Sequence, residues 1–196
     1  MKKLLVLCFA LVVMLIPALL FASSCDSAGD EYYIRFTMDG QEYILTFGYS
    51  DGSIDAPVVA LSISDTQDRI YLFGSNWEEG GDTSGILVDF FGSLFPYIQG
   101  EYLGDYTLAG VNGLNSTYVG YGYLSIEILD IPDFYIYRAT GGTLTITSFG
   151  DVGGAVEGTF DVTFTYMVPT ALGDPTLAIT GDFRLLRVSE DDFPIE

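Results

Sequence analysis

The chain of 196 residues contains no histidine. Its only lysines are Lys2 and Lys3, and its only cysteines are Cys8 and Cys25. Each absence removes a class of chemistry. Without histidine there is no Ser-His-Asp triad and no histidine-bound zinc site, and a cysteine nucleophile has no imidazole to activate it. Past residue 3 no lysine remains to form a Schiff base, and no GxxxxGK[ST] phosphate loop occurs. Positive charge is equally scarce. Five arginines (Arg35, Arg69, Arg138, Arg184, Arg187) stand against 27 acidic residues, so the chain beyond residue 24 carries a formal charge of about −22. Nucleic acid is therefore excluded as a partner on electrostatic grounds, and the acidity serves solubility first. Only carboxylate chemistry survives. A glycosidase needs two acids roughly 5 to 10 Å apart across a cleft, and nothing in the sequence singles out such a pair. The expectation is a protein that is not an enzyme.

The N-terminus is of a different kind. Lys2 and Lys3 precede an apolar run from Leu4 to Ala22, broken only by Pro17, and Ala22, Ser23 and Ser24 lead into Cys25. This is the three-part layout of a secretory signal. It resembles the bacterial lipoprotein signal, although Ala22 stands where that family prefers leucine. The resemblance implies cleavage before Cys25 and acylation of that residue, with 1–24 as the signal peptide and 25–30 as acylated cysteine and tether. At 19 residues the run also nearly spans a bilayer, so an uncleaved anchor is the other reading. Both put the remainder outside the cytoplasmic membrane, with the lysines inside. Cysteine usage agrees: after cleavage Cys25 has no intramolecular partner, and its sulfur is free to carry lipid.

From residue 31 the hydrophobic period is two. In "EYYIRFTMDGQEYILTFGY" an Asp39-Gly40 turn sets Met38 opposite Gln41, Phe36 opposite Tyr43, Ile34 opposite Leu45 and Tyr32 opposite Phe47. A one-residue slip would scatter the apolar side chains over both faces. Further strands are expected at 57–64, 69–74, 85–92, 100–110, 117–129, 133–150, 154–167 and 176–189, punctuated by Gly and Asp, and no window reads as an amphipathic helix. "FFGSLFPYIQG" (90–100) is too apolar for an exposed loop and reads as strand and turn packed into the core, or alternatively as a partner-facing patch. The fold class is all-β: residues 31–196 form one antiparallel β-sandwich of about eight to ten strands, or alternatively a closed up-and-down barrel.

"VEGTFDV" (156–162) and "ITGDFRL" (179–185) share a β-branched, x, Gly, x, Phe, x, aliphatic pattern, with "YLGDYTL" (102–108) as a looser copy. Period two puts each glycine and its phenylalanine on one face, where the glycine leaves room for a neighbouring ring or marks a bulge. The pattern resembles the G-x-F strands of lipid-anchored β-sandwich proteins of unknown function. That resemblance implies a fold and no activity.

Two segments carry candidate sites. "SNWEEGGDTSG" (75–85) holds the sole tryptophan, Trp77, beside Glu78, Glu79 and Asp82. Its ring could stack on a sugar while the acids accept hydroxyl hydrogen bonds, or it could close one end of the core. "SDGSIDA" (50–56) sets Asp51, Ser53 and Asp55 on a short loop, where calcium is the one cofactor to consider. It departs from the D-x-[DN]-x-[DN]-G pattern, and aspartates at turns commonly bond local backbone. "DTQD" (65–68) and "DIPD" (130–133) are similar. The functional expectation is an exported, lipid-anchored protein of the cell envelope with a non-catalytic binding or structural role, its partners a membrane and a protein or glycan. The alternatives are a carbohydrate-binding module using Trp77 or a carboxylate-dependent glycoside hydrolase.

Overall fold

Asp39 and Gly40 both take positive φ, 52° and 80°, which is the type I′ geometry that matches the twist of two antiparallel strands. They join β1 (Tyr33–Met38) to β2 (Gln41–Leu45) in the expected register, Ile34 to Leu45, Phe36 to Tyr43 and Met38 to Gln41. Tyr32 and Phe47 do not extend it. Phe47 instead exchanges backbone hydrogen bonds of 2.8 and 3.0 Å with Ser75. The structure is a computed structural model, and it describes residues 32–48, 56–76, 86–108, 117–130, 133–167 and 175–193.

Eight more strands follow: β3 (Val58–Ser62), β4 (Arg69–Ser75), β5 (Leu87–Pro96), β6 (Gly104–Thr107), β7 (Gly120–Asp130), β8 (Asp133–Phe149), β9 (Ala155–Tyr166) and β10 (Thr176–Val188). Among the described residues there is no α-helix, only a 3₁₀ turn at Glu190–Asp192. The all-β expectation holds, with ten strands. As expected, "FFGSLFPYIQG" ends a strand and turns.

The strands form one mixed sheet. β10 binds β9 along one edge; its other edge is shared by β1, antiparallel, and β3, parallel. β7 is shared likewise: β5 lies on one side, with β8 and the short parallel β6 on the other. The pairing path β10, β3, β4, β5, β7, β8, β9 thus returns to β10. Its walls pack face to face, as in a sandwich, over one core that draws residues from every strand. Phe90 of β5 and Phe160 of β9, on strands that do not pair, bring their rings to 5.5 Å. The two parallel pairings and the continuity of hydrogen bonding between walls depart from the purely antiparallel expectation. Pairing through sequence-distant strands leaves no local signature, because period two is the same whichever neighbour a strand takes.

Curvature has visible sources. β8 slips register between Ala139 and Gly141 and again between Ile146 and Ser148, and such bulges bend and twist a strand. Glycines on the inner face supply the rest. Gly158 pairs with Phe183, and Gly181 with Phe160. A Cβ at Gly158 would lie 2.4 Å from the Phe183 ring, and one at Gly181 would lie 2.6 Å from the Phe160 ring. The two G-x-F copies are therefore reciprocal: each phenylalanine lies over the other strand's glycine. The looser copy does the same with β7, where Tyr106 pairs with Gly120 and covers it.

Candidate outer-face site

Because the core fills the inner face, alternate residues of β4, β5 and β7 must point outward. Those residues are unusually aromatic. β4 contributes Arg69, Tyr71 and Phe73, β5 contributes Phe91 and Phe95, and β7 contributes Tyr121 and Tyr123, while their inward neighbours are Ile70, Leu72, Leu94, Leu124 and Ile126. Cross-strand pairing sets Phe73 beside Phe91, Ser93 beside Tyr123 and Phe95 beside Tyr121.

Ring geometry differs along this strip. Phe95 and Tyr121 stack at 5.0 Å and 12°, so each turns one face on the other. Tyr123 stands nearly perpendicular to both, at 80° and 89°, and is 55 % exposed. Tyr97 joins at 6.0 Å from Tyr121. The Arg69 guanidinium lies 4.4 Å from the Tyr71 ring centre and 5.0 Å from that of Phe95, cation–π geometry on two rings. Its Nη2 donates to Ser93 Oγ at 3.2 Å, while its Nε is buried with no hydrogen-bond partner. Toward β3 the strip is covered: Phe193, after the 3₁₀ turn, stacks on Tyr71 at 5.6 Å and packs with Val58, Ala60 and Phe73.

At the far end of the strip Asp89 and Glu127 are cross-strand partners. Burial pushes the Asp89 carboxyl above its ordinary range, against the opposing pull of a hydrogen bond from Ser75. Burial also raises Glu127, and the Asp89 charge raises it further. Like charges set directly opposite repel. The pair stands side by side on adjacent strands of one face, without the two opposed walls that glycoside hydrolysis requires.

A third carboxylate has a structural task. Asp68, 2 % exposed, accepts hydrogen bonds from the Gly100 backbone N–H at 3.1 Å and the Tyr102 hydroxyl at 2.8 Å. It clasps the turn after β5 to the turn after β3. Burial raises the Tyr102 hydroxyl first, and its bond to Asp68 adds to the shift.

Cys25, the proposed calcium loop (Asp51, Ser53, Asp55) and the proposed sugar site (Trp77, Glu78, Glu79, Asp82) all lie outside the described residues. Among the described residues no group of three or more Cys, Asp or Glu side chains is placed to hold a metal ion. Of the outer-face strip, the sequence pointed only to the β5 part, the apolar stretch 90–100 that holds Phe91, Phe95 and Tyr97, and not to its partners on β4 and β7. The strip's signal was present, in the alternation of Tyr121 and Tyr123 with glycines and of Phe91 and Phe95 with Gly92 and Leu94, but period two alone does not say which face is inside.

Fold and surface together define an all-β protein with an aromatic, partly open outer wall. No protein-family model, no curated sequence and no solved structure matches the chain, so the resemblance drawn from the G-x-F strands rests on those residues alone.

Proposed function

We propose that this chain is an exported, lipid-anchored, non-catalytic binding protein of the cell envelope, and that its binding surface is the outer face of β4, β5 and β7. The observation that carries the reading is the aromatic strip on the outer face, with Tyr123 more than half exposed beside the half-buried Tyr121, Phe95 and Arg69. Tyrosine and arginine dominate binding hot spots because they bury large area and still offer hydrogen bonds. Side chains already held by strand pairing and ring stacking lose little further freedom on association.

The partner we propose is a protein. A sugar platform needs a free ring face, whereas Phe95 and Tyr121 stack on each other and the Arg69 guanidinium lies over Phe95 as well. A hydrolytic role is disfavoured by the side-by-side placement of Asp89 and Glu127. The test is photo-crosslinking in cells producing the protein, with a photoreactive residue at position 123 and a control at Thr159, exposed on β9. The reading expects a discrete adduct from 123, absent from 159 and reduced by Tyr121→Ser. Equal labelling from both positions would count against it.

A further inference from the structure

Eight large apolar side chains are exposed among the described residues, and four of them gather at one end of the sheet. Ile63 opens the turn between β3 and β4, Ile98 and Leu103 lie between β5 and β6, and Val152 tips the turn between β8 and β9. They are 55 to 70 % exposed. The turns that carry them are tied together. Gln99 Nε2 donates to the Ser64 carbonyl at 2.7 Å, and Asp68 holds Gly100 and Tyr102. The Tyr102 ring then packs on Phe149 at 4.8 Å. Arg187 completes the chain: Nη1 donates to the Gly150 carbonyl at 2.6 Å, and the Arg187 carbonyl accepts from Gly153 N–H at 2.7 Å. The four aliphatic tips therefore form a braced rim.

β1 tells where the preceding chain arrives. Tyr33 pairs with Arg184 and Thr37 with Thr180, so β1 runs away from the rim, and the chain enters the sheet from the rim side. Arg184 lies four residues below the end of β10, about 13 Å at roughly 3.3 Å per residue. Cys25 precedes Tyr33 by eight residues, a reach of at most about 29 Å. The opposite end of the sheet is eight β10 residues the other way, about 26 Å before its turns are counted. A membrane holding residue 25 is thus within reach of the rim and at the limit of reach of the other end.

The geometry points to end-on docking of this rim onto an electrically neutral lipid surface, with Ile63, Ile98, Leu103 and Val152 dipping into the interface. Charge selects the surface. Asp65, Glu101 and Asp151 are exposed on the same turns and repel anionic headgroups, whereas zwitterionic headgroups leave the apolar contribution unopposed. Tyr97, next to Ile98, brings a ring and hydroxyl to headgroup level, where such side chains concentrate. Covalent tethering holds the rim at high effective concentration near the surface, so weak insertion is enough. Docked in this way, the outer face of β4, β5 and β7 stands upright and open. The inference rests on the reading that the N-terminus is membrane-anchored.

The experiment uses the full chain made in cells and reconstituted in phosphatidylcholine vesicles. Ile98→Cys and Val152→Cys carry an environment-sensitive fluorophore, Met167→Cys at the other end is the control, and signals are taken relative to the chain without an added cysteine. Flotation with the vesicles, together with a blue shift and quenching by brominated lipid at 98 and 152 but not at 167, supports the proposal. Loss of the shift in Ile63→Asp or Leu103→Asp chains of unchanged melting temperature supports it further, as does loss in phosphatidylglycerol-rich vesicles. Flotation with water-exposed labels at 98 and 152 overturns rim docking and leaves the anchor standing. Failure to float overturns the anchor, and the docking with it. Protection of the rim labels only when another protein is added would make the rim a protein interface and overturn the lipid assignment.

Discussion

Single glycines decide whether this sheet closes. Adding a methyl group at Gly158 would set it against the Phe183 ring and 2.1 Å from the Thr145 carbonyl, and at Gly181 against Phe160 and 2.2 Å from the Arg35 carbonyl. Backbone at those distances cannot rotate aside, so Gly158→Ala and Gly181→Ala should each cost about 3 kcal/mol through overpacking. Gly141 has open space around it, and Gly141→Ala should stay within about 0.5 kcal/mol of the parent. Urea unfolding of the three variants checks this, and equal losses would refute the ring-over-glycine account. The motif was legible in sequence because Gly and Phe share parity on the strand. The reciprocity was not, since it depends on β9 and β10 pairing in the register that sets 181 against 160.

Asp89 and Glu127 belong to the same scale. Both carboxyls are raised, chiefly by burial, so the folded state favours their protonated forms. The stability this contributes is fully present below the ordinary carboxylate range, near pH 4, and is lost as pH rises through the elevated folded values. Asp89→Asn keeps a neutral group and relieves Glu127. Its denaturation midpoint should exceed the parent's at pH 7 and approach it at pH 3; a pH-independent difference would show that the two carboxyls do not carry the effect.

At the scale of elements, the β1–β2 hairpin was the most legible part of the chain. Asp39-Gly40 demands positive φ at both positions, and the alternation from Ile34 to Leu45 allows one register only. Gly40→Ala, at φ 80° with no clashing neighbour, should cost about 1 kcal/mol through backbone strain alone, measured by the same unfolding assay. A larger loss would mean that the turn does more than reverse the chain. Strand positions elsewhere were readable for the same reason: apolar alternation shows where a side chain is half-buried. The departure of Phe47 to Ser75 and the parallel seats of β3 and β6 were not, because they follow from which edges remain unpaired once the sheet has curled. The β4 and β7 parts of the outer aromatic strip were hidden by that ambiguity, since tyrosines on β7 read equally well as core until the core is seen to lie under their neighbours.

The whole molecule joins a strongly acidic β-domain to an N-terminal segment of opposite character. Composition excluded histidine-, lysine- and phosphate-loop-based chemistry without any structure. It could not reveal the braced rim, whose four aliphatic residues lie up to 89 positions apart and meet only because three turns share one end of the sheet. The envelope address and the rim docking both depend on one supposition, that the domain is held at a membrane through Cys25. Mass spectrometry of the N-terminal peptide, taken from protein extracted out of the membrane fraction, tests this most directly. The account predicts a peptide beginning at Cys25, its sulfur carrying a diacylglycerol and its amine an acyl chain. A peptide that retains residues 1 to 24, or an unmodified Cys25 in protein recovered from the aqueous fraction, would contradict it.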